Sequence, residues 1–338
     1  MNTDEIAQLL ESAYQVKSAD IGLSGLKDRH AVSRQWFSVR TPLPATVAEE
    51  ALASFSAAVH GSLGAGGQGS DSGDLLGVEK TARLIDSVRH GRKLRRGTHK
   101  ANEFTIVLSD LMPLADIVAS ELVESVRNRL AQIEERGFPN YLGPQRFGVG
   151  GQNLVRARQW FRQPRKRTSR TQRSFWLSAA RSAVFNQICA ARVDANNWCE
   201  LLDGEPAMLA GTNSFFDTGD STAETLMERL ANFDIHPSAA WWGRGASTAT
   251  GQCGKFENEA LLDLSDLCAG LENAGLAQER RALRAQAHSL EHRWLDDSTL
   301  ELRFNLSPGV FATTLLDQLG QCEEPDRRLD SQIQDGRD

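Results

Sequence analysis

No apolar run in these 338 residues approaches the roughly 18 that a membrane-spanning helix needs. The start, MNTDEIAQLL, is acidic where a secretory leader should be basic, so the cytoplasm is the expected address. Cysteine is sparse and unpatterned. Cys189, Cys199, Cys253, Cys268 and Cys322 are odd in number and form no CxxC pair. No close His/Cys cluster offers a zinc set, so reduced thiols and no bound metal are expected. There is no Walker-type GxxxxGK[ST] and no GxSxG elbow, which disfavours a P-loop enzyme and a serine hydrolase. No internal repeat is visible.

What is present is an ordinary globular balance, 40% hydrophobic and 24% charged, which excludes a mostly disordered chain. The length suits about two domains. Thirty-eight Lys and Arg against 44 Asp and Glu give a net charge of −6, which by itself argues against a nucleic-acid partner. The charge is segregated, however. Residues 86–100 carry a net +5 and residues 156–173 a net +8, leaving −19 on all the rest. Screening makes the field felt by a polyanion local, so these segments matter more than the total. Solvated helix or loop faces are the plainer alternative.

Periodicity places helices and strands along the chain. Ile6, Leu9, Leu10, Ala13 and Val16 share a helical face over 4–16, with Thr3 as the expected N-cap. Residues 35–40 suit a strand, and 103–108 alternate as a half-buried one. A long helix is expected over 114–136, with Ile117, Val118, Leu122, Val123, Val126, Leu130 and Ile133 inward and Gly137 as its stop. The loop 140–153 reads as irregular. Further helices are expected from Ser174, over 220–234 and over 255–292. Residues 299–306 alternate again, and 311–319 read as a last helix. The run Gly64-Ala65-Gly66-Gly67-Gln68-Gly69 is a formal GxGxxG inside a flexible Gly/Ser stretch. It lacks the flanking strand and helix that a dinucleotide site requires. Strands at both ends around a mainly helical middle suggest one domain inserted into another.

Five segments carry a more specific message. They are SGLKDRHAVSRQWFSV (24–39), Asn102-Glu103-Phe104-Thr105, PNYLGPQRFGVGGQN (139–153), KRTSRTQRSFWLSAARSAVFNQ (166–187) and Pro308-Gly309-Val310-Phe311-Ala312-Thr313. Together, and in this order, they resemble the signature of the TruD family of tRNA pseudouridine-13 synthases over roughly nine tenths of the chain. The resemblance implies an α+β fold: a pseudouridine synthase catalytic domain, with a mixed, largely antiparallel sheet and helices, holding an inserted, mainly helical TRUD domain. The expected division is 1–152 with 296–322 for the catalytic part, 153–295 for the insertion, and a frayed tail over 323–338. The family pattern has a further N-terminal segment, with early strands and a D-F-x-V motif, so the catalytic domain is expected to be N-terminally incomplete.

The implied reaction breaks the bond from ribose to the uracil nitrogen, turns the base and rejoins it through carbon, in a site closed to water. A carboxylate suits this as nucleophile or as stabiliser of a cationic sugar. The resemblance assigns that role to Asp28, for which the local alternative is a turn aspartate after Gly25. Lys27 and Arg29 flank it on opposite sides; a nearby cation would keep it ionised, with contact to a phosphate or a plain surface cation as the alternatives for each. A stacked uridine must be flipped out to react. The resemblance gives Asn102 the base edge and Phe311 the base face. Phe104 shares the strand face of Asn102, where core packing is the favoured reading and substrate contact the other. Asn140 and Arg146 lie in the glycine-rich loop, which can approach a ligand closely or serve as a hinge. The basic segments then become RNA-backbone contacts: Arg92, Lys93, Arg95 and Arg96 in one, Arg165, Lys166, Arg167, Arg170 and Arg173 in the other, both lining one cleft between the domains. The expected partner is tRNA, with no cofactor, no membrane and a monomeric state. A non-catalytic RNA-binding relative is the alternative, and a nucleotide-dependent enzyme built on the GxGxxG is disfavoured.

Overall fold

The computed structural model describes residues 1–27, 31–61, 82–113, 121–163 and 168–323. Its contacts divide the chain into two compact units, one spanning 1–100 and the other 101–323.

In the first unit, helix α1 (Thr3–Tyr14) opens with a reciprocal cap. Asn2 accepts from the Glu5 backbone N–H, and the Glu5 carboxylate accepts from the Asn2 N–H. The expected cap, Thr3, is instead the first helical residue; its hydroxyl is buried and accepts from the Lys27 N–H at 3.1 Å. Strands β1 (Ile21–Leu23) and β2 (Phe37–Val39) pair antiparallel, with Gly22 opposite Ser38. Helix α2 (Ala45–Gly61), unexpected from the sequence, adds Phe55 and Val59 to a small core with Leu10 and Ile21. Alanines along its buried face weaken the apolar periodicity that would have announced it.

The second unit holds a three-stranded antiparallel sheet of β11 (His288–Trp294), β12 (Leu300–Leu306) and β3 (Asn102–Leu108). Leu300, Leu302, Phe304 and Leu306 are buried, as alternation required. They pack with Val126, Leu130 and Ile133 of α3 (Leu122–Arg136), which Gly137 ends. Ile117 and Val118 lie outside the described residues.

A second core surrounds α5 (Arg170–Asp194), where Val184, Phe185 and Ile188 meet Ala239, Leu267, Leu271 and Leu283. It is framed by α4 (Gln152–Arg162), α7 (Gly251–Ala260) and α8 (Ser265–Asn273), while α6 (Ala223–Ala231) lies against the strand at Ile235–His236. Helix α4 replaces the tail of the expected irregular loop. Helix α5 begins at Arg170 rather than Ser174, its cap Ser169 accepting from the Gln172 N–H.

Small antiparallel pairings complete the region: β4 (Phe138–Pro139) with β10 (Arg284–Ala285), β5 (Ala207–Leu209) with β6 (Phe215–Phe216) and β7 (Ile235–His236), and β8 (Ser238–Trp241) with β9 (Glu279–Ala282). The helix expected over 255–292 therefore holds only to Asn273. Beyond it, Glu, Arg, Ala and Leu of high helix propensity form strands, because pairing with β8, β4 and β12 outweighs a weak local preference. Helix α9 (Ala312–Leu316) closes the described chain. The architecture is α+β, with helices and largely antiparallel sheets.

Candidate active site

In the first unit the segment that leads to residue 28 is braced by one of the basic stretches. Gly97 N–H donates to the Ser24 carbonyl at 2.8 Å, and Leu94 N–H to the Ser38 hydroxyl at 2.8 Å. The chain crosses directly over Gly22, where any side chain would run into the Leu94 carbonyl and the Lys93 stem. Lys93 Nζ donates to the Ala19 carbonyl from an exposed position. Arg92, Arg95 and Arg96 are exposed and form no ion pair among the described residues. Asp28, with Arg29, lies outside the described residues, as do Arg165, Lys166, Arg167 and the GxGxxG run.

In the second unit the structure brings Asn140, Arg146 and Phe311 to one place. Asn102 opens β3 opposite Leu306, the last residue of β12. From there the chain turns through Ser307, Pro308 and Gly309 to Phe311, the N-cap of α9, so Asn102 and Phe311 belong to the same end of the sheet. Loop 139–148 packs against the Phe311 ring. A Cβ on Gly143 would stand 3.0 Å from ring atom Cδ1 and 3.1 Å from the Thr313 hydroxyl, so the close approach that glycine permits here is to the protein's own aromatic. The Arg146 guanidinium carbon lies 5.7 Å from the Phe311 ring centroid, within cation–π range. Its Nη1 bonds the Ser178 hydroxyl of α5 at 3.2 Å.

Two expected contacts are used inside the protein. Asn140 is buried; its Nδ2 donates to the Ala282 carbonyl at 2.9 Å and its Oδ1 accepts from Arg281 Nη2 at 3.0 Å. Phe104 stacks on Phe304 at 5.4 Å between centroids, the packing role favoured for it from the sequence. Arg170 and Arg173 are exposed on the first turn of α5. Cations there oppose the helix dipole, so the position suits an incoming anion rather than the isolated helix.

The family model described as tRNA pseudouridine synthase D (TruD) matches residues 1–157 and 152–319. The chain belongs to the TruD family. It is 40% identical over 318 residues to a tRNA pseudouridine synthase D of Methylococcus capsulatus, covering 94% of this chain and 80% of that one. It is likewise 40% identical over 339 residues to that of Xanthomonas campestris pv. campestris, covering 96% and 83%. A Methanosarcina mazei crystal structure named for tRNA pseudouridine synthase D superposes with a TM-score of 0.63 at 16% identity, over 95% of this chain and 86% of that one, and so shares the fold.

Within this TruD fold the sequence missed Arg281. Burial, with Arg146 nearby, pushes its guanidinium down to about 10, still protonated at neutral pH. One Nη2 bridges Asn140 Oδ1 and the Gly309 carbonyl at 3.0 and 2.9 Å, tying the glycine-rich loop to the turn that presents Phe311. Arg280 and Arg281 are neighbours on β9 and point to opposite sides. A helical reading of this stretch hides that alternation. The signal that could have found Arg281 was the strand pattern itself.

Proposed function

We propose that this chain isomerises uridine to pseudouridine at position 13 of tRNA, with Asp28 as the catalytic carboxylate. The observation that carries the reading is the Phe311 cluster, assembled from the two TruD-type segments 139–148 and 308–313 in a chain of that family. A uracil flipped from the RNA stacks at Phe311, and Asn102 at the same end of the sheet reads its edge. Asp28 attacks or steadies the sugar carbon as the bond to base nitrogen breaks. The uracil turns, its carbon 5 bonds to the sugar, the proton on that carbon leaves and the freed nitrogen gains one. Lys27 lies next to Asp28 and favours its ionised form. Asn140 acts through Arg281 as a positioning residue.

Arg92, Arg95 and Arg96, with Arg165, Lys166, Arg167, Arg170 and Arg173, hold tRNA phosphates and supply affinity without reading sequence. We assign the catalytic part to 1–152 and 296–322, with 153–295 inserted. No helix among the described residues is long and apolar enough to cross a membrane, and a cytoplasmic address fits a tRNA substrate.

The test is incubation of the protein with unmodified tRNA carrying tritium at uracil carbon 5, with pseudouridine mapped to the nucleotide. Tritium release and modification at position 13 are expected, with a loss of at least a thousandfold in Asp28→Asn. Tight tRNA binding without conversion would make the chain a binding protein instead.

A further inference from the structure

Most arginines buried in the second unit have a counter-charge or a full set of acceptors. Arg192 meets Glu205, Arg280 meets Glu257 and Arg181 meets Glu279. Arg284 has no carboxylate among the described residues, but it donates to the carbonyls of Leu230 and Ile235 and to His236 Nδ1. Leu230 lies in the last turn of α6, so this cation sits at the negative end of a helix, a structural place for it.

Arg146 and Arg281 differ. Neither has a carboxylate within ion-pair distance among the described residues. The Nε of each is buried with no partner, as is that of Arg192, but only Arg192 has a carboxylate to offset its charge. Among the described residues the Arg146 side chain makes one hydrogen bond, to Ser178, and the Arg281 side chain makes two, both through Nη2. Arg281 Nη1 and Arg146 Nη2 therefore have donors left over. Arg281 lies 5.4 Å from the Phe185 centroid and 5.8 Å from that of Trp241, an aromatic floor that holds a cation without neutralising it. Two like charges in a half-buried site repel each other and lack compensation, and burial lowers the guanidinium pKa of both. A fold that gives its other buried arginines a carboxylate or the carbonyls at a helix end leaves these two for an external anion.

We propose that Arg146 and Arg281 together form a binding site for one backbone phosphodiester of the RNA, adjoining the nucleotide whose base stacks at Phe311. The placement fits the chemistry. Arg146 stands over the Phe311 ring and Arg281 holds the Gly309 carbonyl two residues before it, so base and phosphate of one short stretch reach ring and guanidinium pair together. A phosphate oxygen pair matches the fork of a guanidinium. This inference rests on the RNA-modifying reading above and adds a site to it.

The test uses the full chain with tRNA carrying a single uncharged methylphosphonate linkage on either side of the target uridine. Equilibrium binding is measured whether or not pseudouridine forms. With the wild-type protein, one of the two neutral linkages should weaken binding about 10-fold. Arg281→Gln should weaken binding to normal tRNA by about 10- to 100-fold. The log–log salt dependence should become shallower by roughly 0.7–0.9. The neutral linkage should then make little further difference to that variant. Arg281→Lys, which keeps the charge, should retain most of the salt dependence. Equal penalties from the neutral linkage in wild type and Arg281→Gln, or no penalty at either linkage in wild type, would overturn the site; the second result needs no variant and so cannot reflect misfolding. If wild-type protein binds in this pattern yet makes no pseudouridine, the isomerase reading falls and the phosphate site stands. If it converts tRNA without this coupling, the phosphate site alone falls. If it binds no tRNA, both fall.

Discussion

Arg192 and Arg280 are sealed in the second unit with their carboxylates. Arg192 donates to Glu205 at 2.7 Å, and the two side chains are 1% and 0% exposed. Glu205 spreads its acceptors further, to the N–H groups of Leu202 and Ser238. Arg280 meets Glu257 at 2.8 Å and also bonds Ser238. Arg146 and Arg281, on the same fold and beside the Phe311 turn, have aromatic rings and neutral acceptors but no acid among the described residues. Burying a charge is tolerable once it is paired and fully hydrogen-bonded. A site that leaves two cations short of partners gives up stability it could have had, and functional sites are where proteins do so. The contrast separates charge that holds the fold from charge held ready for a ligand.

The largest effect should come from breaking a paired charge. Glu205→Gln turns an acceptor into a donor facing Arg192 or Ser238, and should destabilise by about 3–5 kcal/mol in urea unfolding. A loss below about 1 kcal/mol would erase the contrast.

A smaller effect tests the arginine that is satisfied without an acid. His236, which accepts from Arg284 Nε, is pushed down to about 4 by burial, with Arg284 and His288 adding to the shift and Asp234 opposing it. The unfolded chain takes up this proton near pH 6.5 and the folded one only near 4. The stability from neutral His236 is therefore complete above pH 6.5 and fades as pH falls from 6.5 to 4. The loss should be on the order of 2–3 kcal/mol. Urea midpoints across this range should fall in wild type and less steeply in His236→Gln.

The smallest effect belongs to an exposed pair. Arg158 and Asp266 sit 2.9 Å apart with side chains 37% and 49% exposed. Arg158→Ala should change stability by less than about 1 kcal/mol. A loss comparable to that of Glu205→Gln would show that burial is not what sets these pairs apart.

Much of the frame was legible because its signals are local. The alternation of Leu300, Leu302, Phe304 and Leu306 and the stop at Gly137 follow from periodicity and backbone freedom, and the structure has both. Asn140, Arg146 and Phe311 were found through family resemblance, and they do converge. The roles within that cluster were harder to read. Asn140 is an amide that any ligand could use until Arg281 and the Ala282 carbonyl claim it. Arg281 lies in ERRALR, whose residues favour a helix; only pairing with β8 makes it a strand and sends Arg280 and Arg281 to opposite sides. Helices α2 and α4 were missed for related reasons. The first buries small alanines among polar neighbours, and the second carries a basic face that reads as a charged segment. Local pattern tells which residues can be buried, and tertiary pairing decides which polar atoms are left over.

Charge that holds the fold and charge kept for a ligand are separated most directly by measuring unfolding free energy and tRNA affinity side by side for Glu205→Gln and Arg281→Gln. A crossed result is expected. Glu205→Gln loses about 3 kcal/mol or more of stability and, where folded, binds tRNA like wild type. Arg281→Gln changes stability by less than about 1.5 kcal/mol and binds tRNA at least 10-fold more weakly. An Arg281→Gln protein that unfolds as readily as Glu205→Gln while its folded form keeps wild-type affinity would contradict it.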